Sequence, residues 1–138
     1  MIRTLIIDDE QHCVDRLTQL LEAHKNSVHL MNALLSVEEG VSAIKKLSPD
    51  LIFLDVQIHD KTGFDLLKQI DTHDLEVIFT TAYDKYAVQA FKFSALDYLL
   101  KPVDADELQH AINKLSSKFS QQELSQKFDA LFHSLLEI

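Results

Sequence analysis

The sequence is poor in residues that staple or punctuate a chain. Two glycines and two prolines in 138 residues leave no composition for a flexible linker, a collagen-like repeat or a disordered tract. A single cysteine, Cys13, rules out an intrachain disulfide, and the expected compartment is a reducing cytoplasm. No apolar run approaches the roughly 20 residues of a membrane span. The opening "MIRTLIIDDE" meets acid too early for a secretory signal, so no membrane partner is expected. Basic residues are scarce as well: 13 Lys and Arg against 22 Asp and Glu give a net charge of −9. A nucleic-acid surface needs the opposite sign, because Lys and Arg must displace counterions from phosphates. A metal cation suits this balance better.

What is present is a hydrophobic fraction of 46%, enough for a core, arranged in two alternating periodicities. Short apolar runs read as buried strands: "TLIID", "VHLMNALL", "DLIFLD", "EVIFTTA" and "ALDYLL". Between them lie helical spacings. "EQHCVDRLTQLLEAHK" places Val14, Leu17, Leu20 and Leu21 on one face. "SVEEGVSAIKKL" opens with Ser36 and Glu39 in a capping-box pattern. "GFDLLKQI", "DKYAVQAFKF" and "DADELQHAINKLSSK" follow, the last with Asp104 as its expected N-cap. Such alternation predicts an α/β fold: a five-stranded parallel sheet covered by helices on both faces. In such sheets ligands bind beyond the carboxyl ends of the strands.

Those ends carry chemistry. The first strand runs into Asp8, Asp9 and Glu10, and the third ends at Asp55. Three clustered carboxylates repel by several kcal/mol per pair at about 4 Å and an effective dielectric near 20, so the cluster calls for a cation. Hard oxygen donors point to Mg²⁺, and the seven histidines show no spacing suited to zinc. The fourth strand end adds Thr80 and Thr81, and the fifth adds Lys101 before Pro102. A carboxylate nucleophile, a metal, a hydroxyl and an ammonium are the parts needed for phosphoryl transfer to an acid, with Asp55 as acceptor. A haloacid-dehalogenase-type phosphatase needs a second carboxylate two residues on, where this chain has Gln57. Rapid turnover is therefore not expected, and the chain is read as a phosphoacceptor rather than an enzyme.

The pieces "LIIDDE", "LIFLDVQI", "TGFDLL", "VIFTTAYD" and "ALDYLLKPVD", in this order, resemble the receiver domain of bacterial two-component response regulators over roughly residues 2–118. "FTTAYDKYAVQAFKFSALDYLLKP" is similar to receivers of the LytTR (LytR/AlgR) class. The resemblance implies a flavodoxin-like (βα)5 receiver over residues 1–119 that signals by phosphorylation. Asp55 would be the phosphoacceptor. Asp8, Asp9, Asp55 and the Gln57 backbone carbonyl would hold Mg²⁺. Thr81 and Tyr98 would be switch residues, Lys101 would bind phosphate, and the Lys101–Pro102 peptide would be cis. It implies a sensor histidine kinase as donor and a homodimer through the fourth helix, fifth strand and fifth helix or through the C-terminal helix. DNA would be reached only through an effector domain that this chain does not contain. The rival reading is a stand-alone or phosphate-independent interaction module. One departure stands out: His59 occupies a position where these receivers commonly carry proline. The loop loses a fixed φ and gains an N–H, so it is expected to be more mobile. His59 is read as an exposed, tolerated replacement, with pH sensing or a local bond as the other reading.

The last 19 residues contain no strand pattern. Leu124, Phe128, Leu131, Leu135 and Ile138 form a stripe at helical spacing, broadened by Phe132 and Leu136. Residues 120–138 are read as an extra amphipathic linker helix that packs on the domain or on a second copy.

Overall fold

The computed structural model describes residues 1–136. Five strands form one parallel sheet: β1 (Ile2–Ile7), β2 (Val28–Leu34), β3 (Leu51–Leu54), β6 (Glu76–Thr81) and β7 (Asp97–Leu100). Their order is β2-β1-β3-β6-β7, so the chain reverses its winding direction at β1 and β3. Two further strands, β4 (Gln57–Ile58) and β5 (Lys61–Thr62), make a small antiparallel hairpin after β3.

Side chains that alternate along each strand feed two cores. Ile6, Leu51, Phe53 and Ile78 pack against α1 (Gln11–Leu21) and α5 (Ala105–Leu136), where they meet Val14, Leu17, Leu108 and Ile112. Leu5, Ile52, Leu54 and Phe79 point the other way. They meet Val37 and Ile44 of α2 (Val37–Leu47), Phe64 and Leu66 of α3 (Gly63–Leu67) and Ala90 of α4 (Ala87–Lys92). β3 is fully buried along its length, which explains its unbroken apolar composition.

Local differences from the sequence reading have identifiable causes. Ser36 caps α2 by accepting the Glu39 N–H at 3.1 Å, but the Glu39 carboxylate returns to the Leu35 N–H at 3.4 Å, one residue before the cap. The reciprocal capping box lies instead on α3, between Thr62 and Asp65. α3 ends at Leu67 rather than Ile70. The segment expected as the fourth helix opens with a 3-10 turn, Asp84–Tyr86. Asp104 does cap α5, accepting from the Asp106 and Glu107 N–H groups at 3.0 and 3.1 Å. The C-terminal helix is present, and it is continuous with the fifth helix: α5 runs unbroken for 32 residues. Its distal part does not pack on the domain, because Leu124, Phe128, Leu131 and Leu135 are exposed. Ile138, the last member of the expected stripe, lies outside the described residues. No helix among the described residues is long and apolar enough to cross a membrane.

Candidate functional site

Backbone ladder bonds at the carboxyl edge of the sheet place the functional side chains. The Asp8 N–H donates to the Leu34 carbonyl at 3.0 Å, and the Asp55 N–H to the Ile7 carbonyl at 3.0 Å. The Lys101 N–H donates to the Thr81 carbonyl at 2.8 Å. Asp8 and Asp55 are thus carried one residue past the ends of β1 and β3 at the point where the strand order reverses, where ligands bind in open α/β sheets.

One carboxylate oxygen from each of Asp8, Asp9, Glu10 and Asp55 lies within 4.8 Å of the other three. Asp8 and Asp55 are buried, Asp9 is half-buried and Glu10 is exposed. Lys101 Nζ inserts between the two buried acids, 2.7 Å from Asp8 Oδ2 and 2.8 Å from Asp55 Oδ2. Burial opposes the charge on Lys101, but its hydrogen bonds to Asp55 and Asp8 outweigh that and hold the ammonium above its ordinary range. Burial also pushes the Asp55 carboxyl up, against the pull of Lys101. Four carboxylates face a single ammonium, an excess of three negative charges. All four are hard oxygen donors, the kind that Mg²⁺ takes one or two at a time while keeping several waters. The residues therefore fit such an ion, with Asp8, Asp9 and Asp55 as the deepest donors. Glu10 was not singled out from sequence, although it continues the acidic run.

The loop after Asp55 forms a hydrogen-bonded hairpin. β4 and β5 pair Gln57 with Thr62 and Ile58 with Lys61, leaving His59 and Asp60 as a two-residue turn. His59 has φ 55°, the left-handed geometry that such hairpin turns require at their first central residue. Proline, fixed near −65° and without an N–H, cannot take this position. The His59 N–H donates to Asp9 Oδ2 at 2.8 Å. Its ring Nδ1 lies 3.5 Å from the same oxygen, and Nε2 lies 3.1 Å from the Leu35 carbonyl. His59 is exposed, yet it ties the hairpin to Asp9 and to the loop before α2. Ile58 is buried in the core, and Lys61 forms an ion pair with Glu38, which fixes the hairpin from both sides. Gly63 is required by space: a Cβ there would meet the Asp55 carbonyl oxygen at 2.4 Å.

Other singled-out residues surround the acids without all reaching them. Thr81 is fully buried, and its Oγ1 accepts the Tyr83 N–H at 3.4 Å. The Tyr98 hydroxyl donates to the Tyr83 carbonyl, so both expected switch residues grip one peptide segment. The Gln57 N–H faces Asp55 Oδ1 at 3.4 Å, while its side-chain amide turns away to the Tyr86 hydroxyl at 2.8 Å. The Lys101–Pro102 peptide is cis. A cavity of about 330 Å³ adjoins the acids, lined among others by Asp8, Cys13, Arg16, Lys101 and Pro102. Nothing in the sequence pattern marks it, because its walls come from three distant segments, residues 8–17, 80–82 and 101–103.

A family model described as the response regulator receiver domain matches residues 4–113. The sensory transduction protein LytT of Bacillus anthracis is 38% identical over 131 residues, covering 92% of this chain and 52% of that protein. The transcriptional regulatory protein BtsR of Escherichia coli is 35% identical over 126 residues, covering 91% of this chain and 52% of that protein. The chain thus spans about half the length of these curated relatives. Among solved structures, the REC domain of AraT, a response regulator from Geobacillus stearothermophilus, superposes with a TM-score of 0.79 at 26% identity, covering 89% of this chain and 99% of that one.

Proposed function

The chain belongs to the response regulator receiver domain family, with relatives of LytTR type, and from that premise we propose that it is an Mg²⁺-dependent phosphorylation switch with Asp55 as acceptor. One observation carries the reading: a lysine ammonium held 2.8 Å from one oxygen of a buried aspartate, inside a cluster of four carboxylates. A structural ion pair needs one acid per base, and the surplus of acids suits a bound cation and an incoming phosphoryl group.

Asp55 attacks the phosphorus of a phosphohistidine on a sensor histidine kinase. The Asp55 O–P bond forms as the P–N bond breaks, and the imidazole leaves with the electron pair. A bound Mg²⁺ would offset charge on the transferred oxygens, and Asp8, Asp9, Asp55 and the Gln57 carbonyl are the groups that would hold it. Lys101 already lies against Asp55, so it can shift its third donor to a phosphoryl oxygen without crossing the pocket. Thr81 supplies a hydroxyl one strand away. If that hydroxyl turns to the acyl phosphate, it releases the Tyr83 N–H, and Tyr98 holds the carbonyl of the same residue. Rearrangement at Tyr83 would in this way pass to the face made by α4, β7 and α5.

The output is control of transcription by pairing of two copies, through that face or the C-terminal helix. The DNA contact would be made by an effector domain of the kind implied by the greater length of the relatives. The receiver itself carries the wrong charge for DNA. The test is labelling by a phosphodonor in Mg²⁺, with wild type beside Asp55→Asn. Label confined to wild type and abolished by chelation is the expected result, and equal labelling of both would dismiss Asp55.

A further inference from the structure

The apolar face of α5 changes sides along the helix. In its first half Leu108, Ala111, Ile112 and Leu115 are buried, with Phe119 packed against the same core. In its second half Leu124, Phe128, Leu131 and Leu135 are 60–70% exposed. At about 100° per residue, Leu124 sits about 180° around the helix from Leu115, and the other three lie within about 40° of it. The helix is unbroken between the two stripes. At 1.5 Å per residue, Leu136 is also about 25 Å beyond Phe119. Direction and distance both remove this stripe from the domain's own core.

We infer that the stripe is the seam of a parallel two-helix pairing between two copies of this chain. The inference takes from the proposed function only the premise that copies pair, and it selects the C-terminal helix as the place. The spacing of four, three and four residues is the a/d pattern of a heptad, with Leu124 and Leu131 at d and Phe128 and Leu135 at a. Such a seam is self-complementary: under a two-fold axis each knob meets its own counterpart. Leucine at both d positions is half of the pattern that favours two strands. Glu123, Asp129 and His133 fall at c, b and f, away from the seam, so pairing buries no charge there. On the same side upstream, His110, Ser117 and Gln121 are polar, which sets the start of the seam at Leu124.

Phe132, 53% exposed, falls at e beside the seam and widens the contact to five large side chains. At roughly 100 Å² each, two copies would cover about 1,000 Å² in total, the size of a weak, reversible interface. A reversible dimer follows, with the heptad geometry of a preformed helix and no folding required for it to form.

The experiment is light scattering or sedimentation of the 138-residue chain from roughly 1 to 500 μM, a span covering the micromolar affinities such an area supports. Wild type is expected to pass from one-chain to two-chain mass within that range, and Leu131→Glu to stay at one-chain mass throughout. In a Cys13→Ser background, Leu131→Cys is expected to form an interchain disulfide on mild oxidation, because d positions face each other only in a parallel, in-register pair. A wild-type mass that stays at one chain at every concentration overturns the inference. So does a dimer that survives Leu131→Glu, or a Leu131→Cys variant that fails to cross-link. Leu131 is exposed, so neither of its substitutions touches the core, and Cys13→Ser alone serves as the control for the half-buried position it changes. Phosphodonor labelling of Asp55 in the same variants keeps a failure of the seam separate from a failure of the switch.

Discussion

Replacing Lys101 by methionine removes the ammonium bonded to the two buried acids and keeps the length of the side chain. Lys101 is 12% exposed, against 3% for Asp8 and 5% for Asp55. Its loss strands two desolvated carboxylates beside Asp9 and Glu10. Removing one partner of a buried charge pair costs about 3–5 kcal/mol. The lower end applies here, because the pocket opens to solvent at Glu10 and a stranded aspartate can take up a proton. The expected loss is therefore about 3 kcal/mol in urea unfolding followed by circular dichroism, with EDTA present. Adding Mg²⁺ should reverse much of it. The variant pocket is one charge more negative, so the ion binds it more tightly than wild type. An ion at 100 times its Kd returns about 2.7 kcal/mol. Stabilisation by Mg²⁺ should then be larger in Lys101→Met than in wild type. A deficit below about 1 kcal/mol in EDTA, or identical Mg²⁺ responses in the two proteins, would refute the claim that Lys101 and a metal ion offset the same charges.

Burial raises the Asp55 carboxyl in the folded state, so the folded chain holds that proton to higher pH than the unfolded chain does. Stability contributed at this site must then fall as pH rises from the ordinary aspartate value of 3.8 through the folded value. In EDTA, the Tm of wild type relative to Asp55→Asn should decline over that window, and a flat or rising difference contradicts the assignment. His59→Pro deletes the N–H bonded to Asp9 and forbids φ 55°; it should weaken Mg²⁺ binding by about tenfold in calorimetric titration. His59→Gly keeps both features and should stay within about threefold, so equal affinity in all three proteins removes this role for the turn. Gly63→Ala drives a Cβ to 2.4 Å from the Asp55 carbonyl oxygen and 2.9 Å from Leu54 Cγ. It should cost about 3 kcal/mol and reduce labelling. Gly40→Ala meets only side-chain methyl groups of Leu66 and Ile7 and should cost less. Similar melting curves for the two alanine variants would show that the Gly63 contact is not the constraint described.

The strands and the acids could be read from sequence for one reason. A parallel sheet buried on both faces demands continuous apolar runs, and a carboxylate or ammonium that ends such a run has only the carboxyl edge to occupy. Asp8, Asp55, Thr81 and Lys101 each end a run of this kind, so topology alone brings them near one another. The hairpin at Gln57–Thr62 had no comparable signal. Its two-residue strands are too short for a period, and His59 and Asp60 do not advertise a left-handed turn as Asn-Gly would. The missing proline removes a fixed φ, and it is also what allows the turn and its bond to Asp9. Gly63 carries no signal of its own either, although its role is close approach to the Asp55 backbone. On α3 the Thr62–Asp65 box was legible in principle, since its spacing equals that of Ser36–Glu39. Glu39 instead accepts from the Leu35 N–H, one residue before the cap, and nothing in the structure explains that choice.

The change of face along α5 explains why the sequence suggested two helices where there is one. A periodic stripe that jumps by half a turn looks like a break, but nothing between Phe119 and Leu124 stops a helix: the intervening residues are Ser, Gln, Gln and Glu. An unbroken helix has a mechanical consequence. α5 begins at Ala105, four residues after the lysine that touches Asp55, and it is held at its base by Leu108, Ile112 and Leu115. Lys114 and Lys118 anchor the same stretch through Asp97 at 3.1 Å and Glu76 at 2.6 Å. Leu136 lies about 30 Å from Leu115 along the axis, so a tilt of about 5° at the base moves the far end by about 3 Å. That displacement is over half the roughly 5 Å rise between successive knobs of a helical seam. Over the buried stretch from Leu108 to Leu115, about 10 Å long, the same tilt moves atoms by no more than about 1 Å. A receiver built this way can report a sub-ångström change at Lys101 through the lateral position of its distal helix, with no need to melt or refold any element.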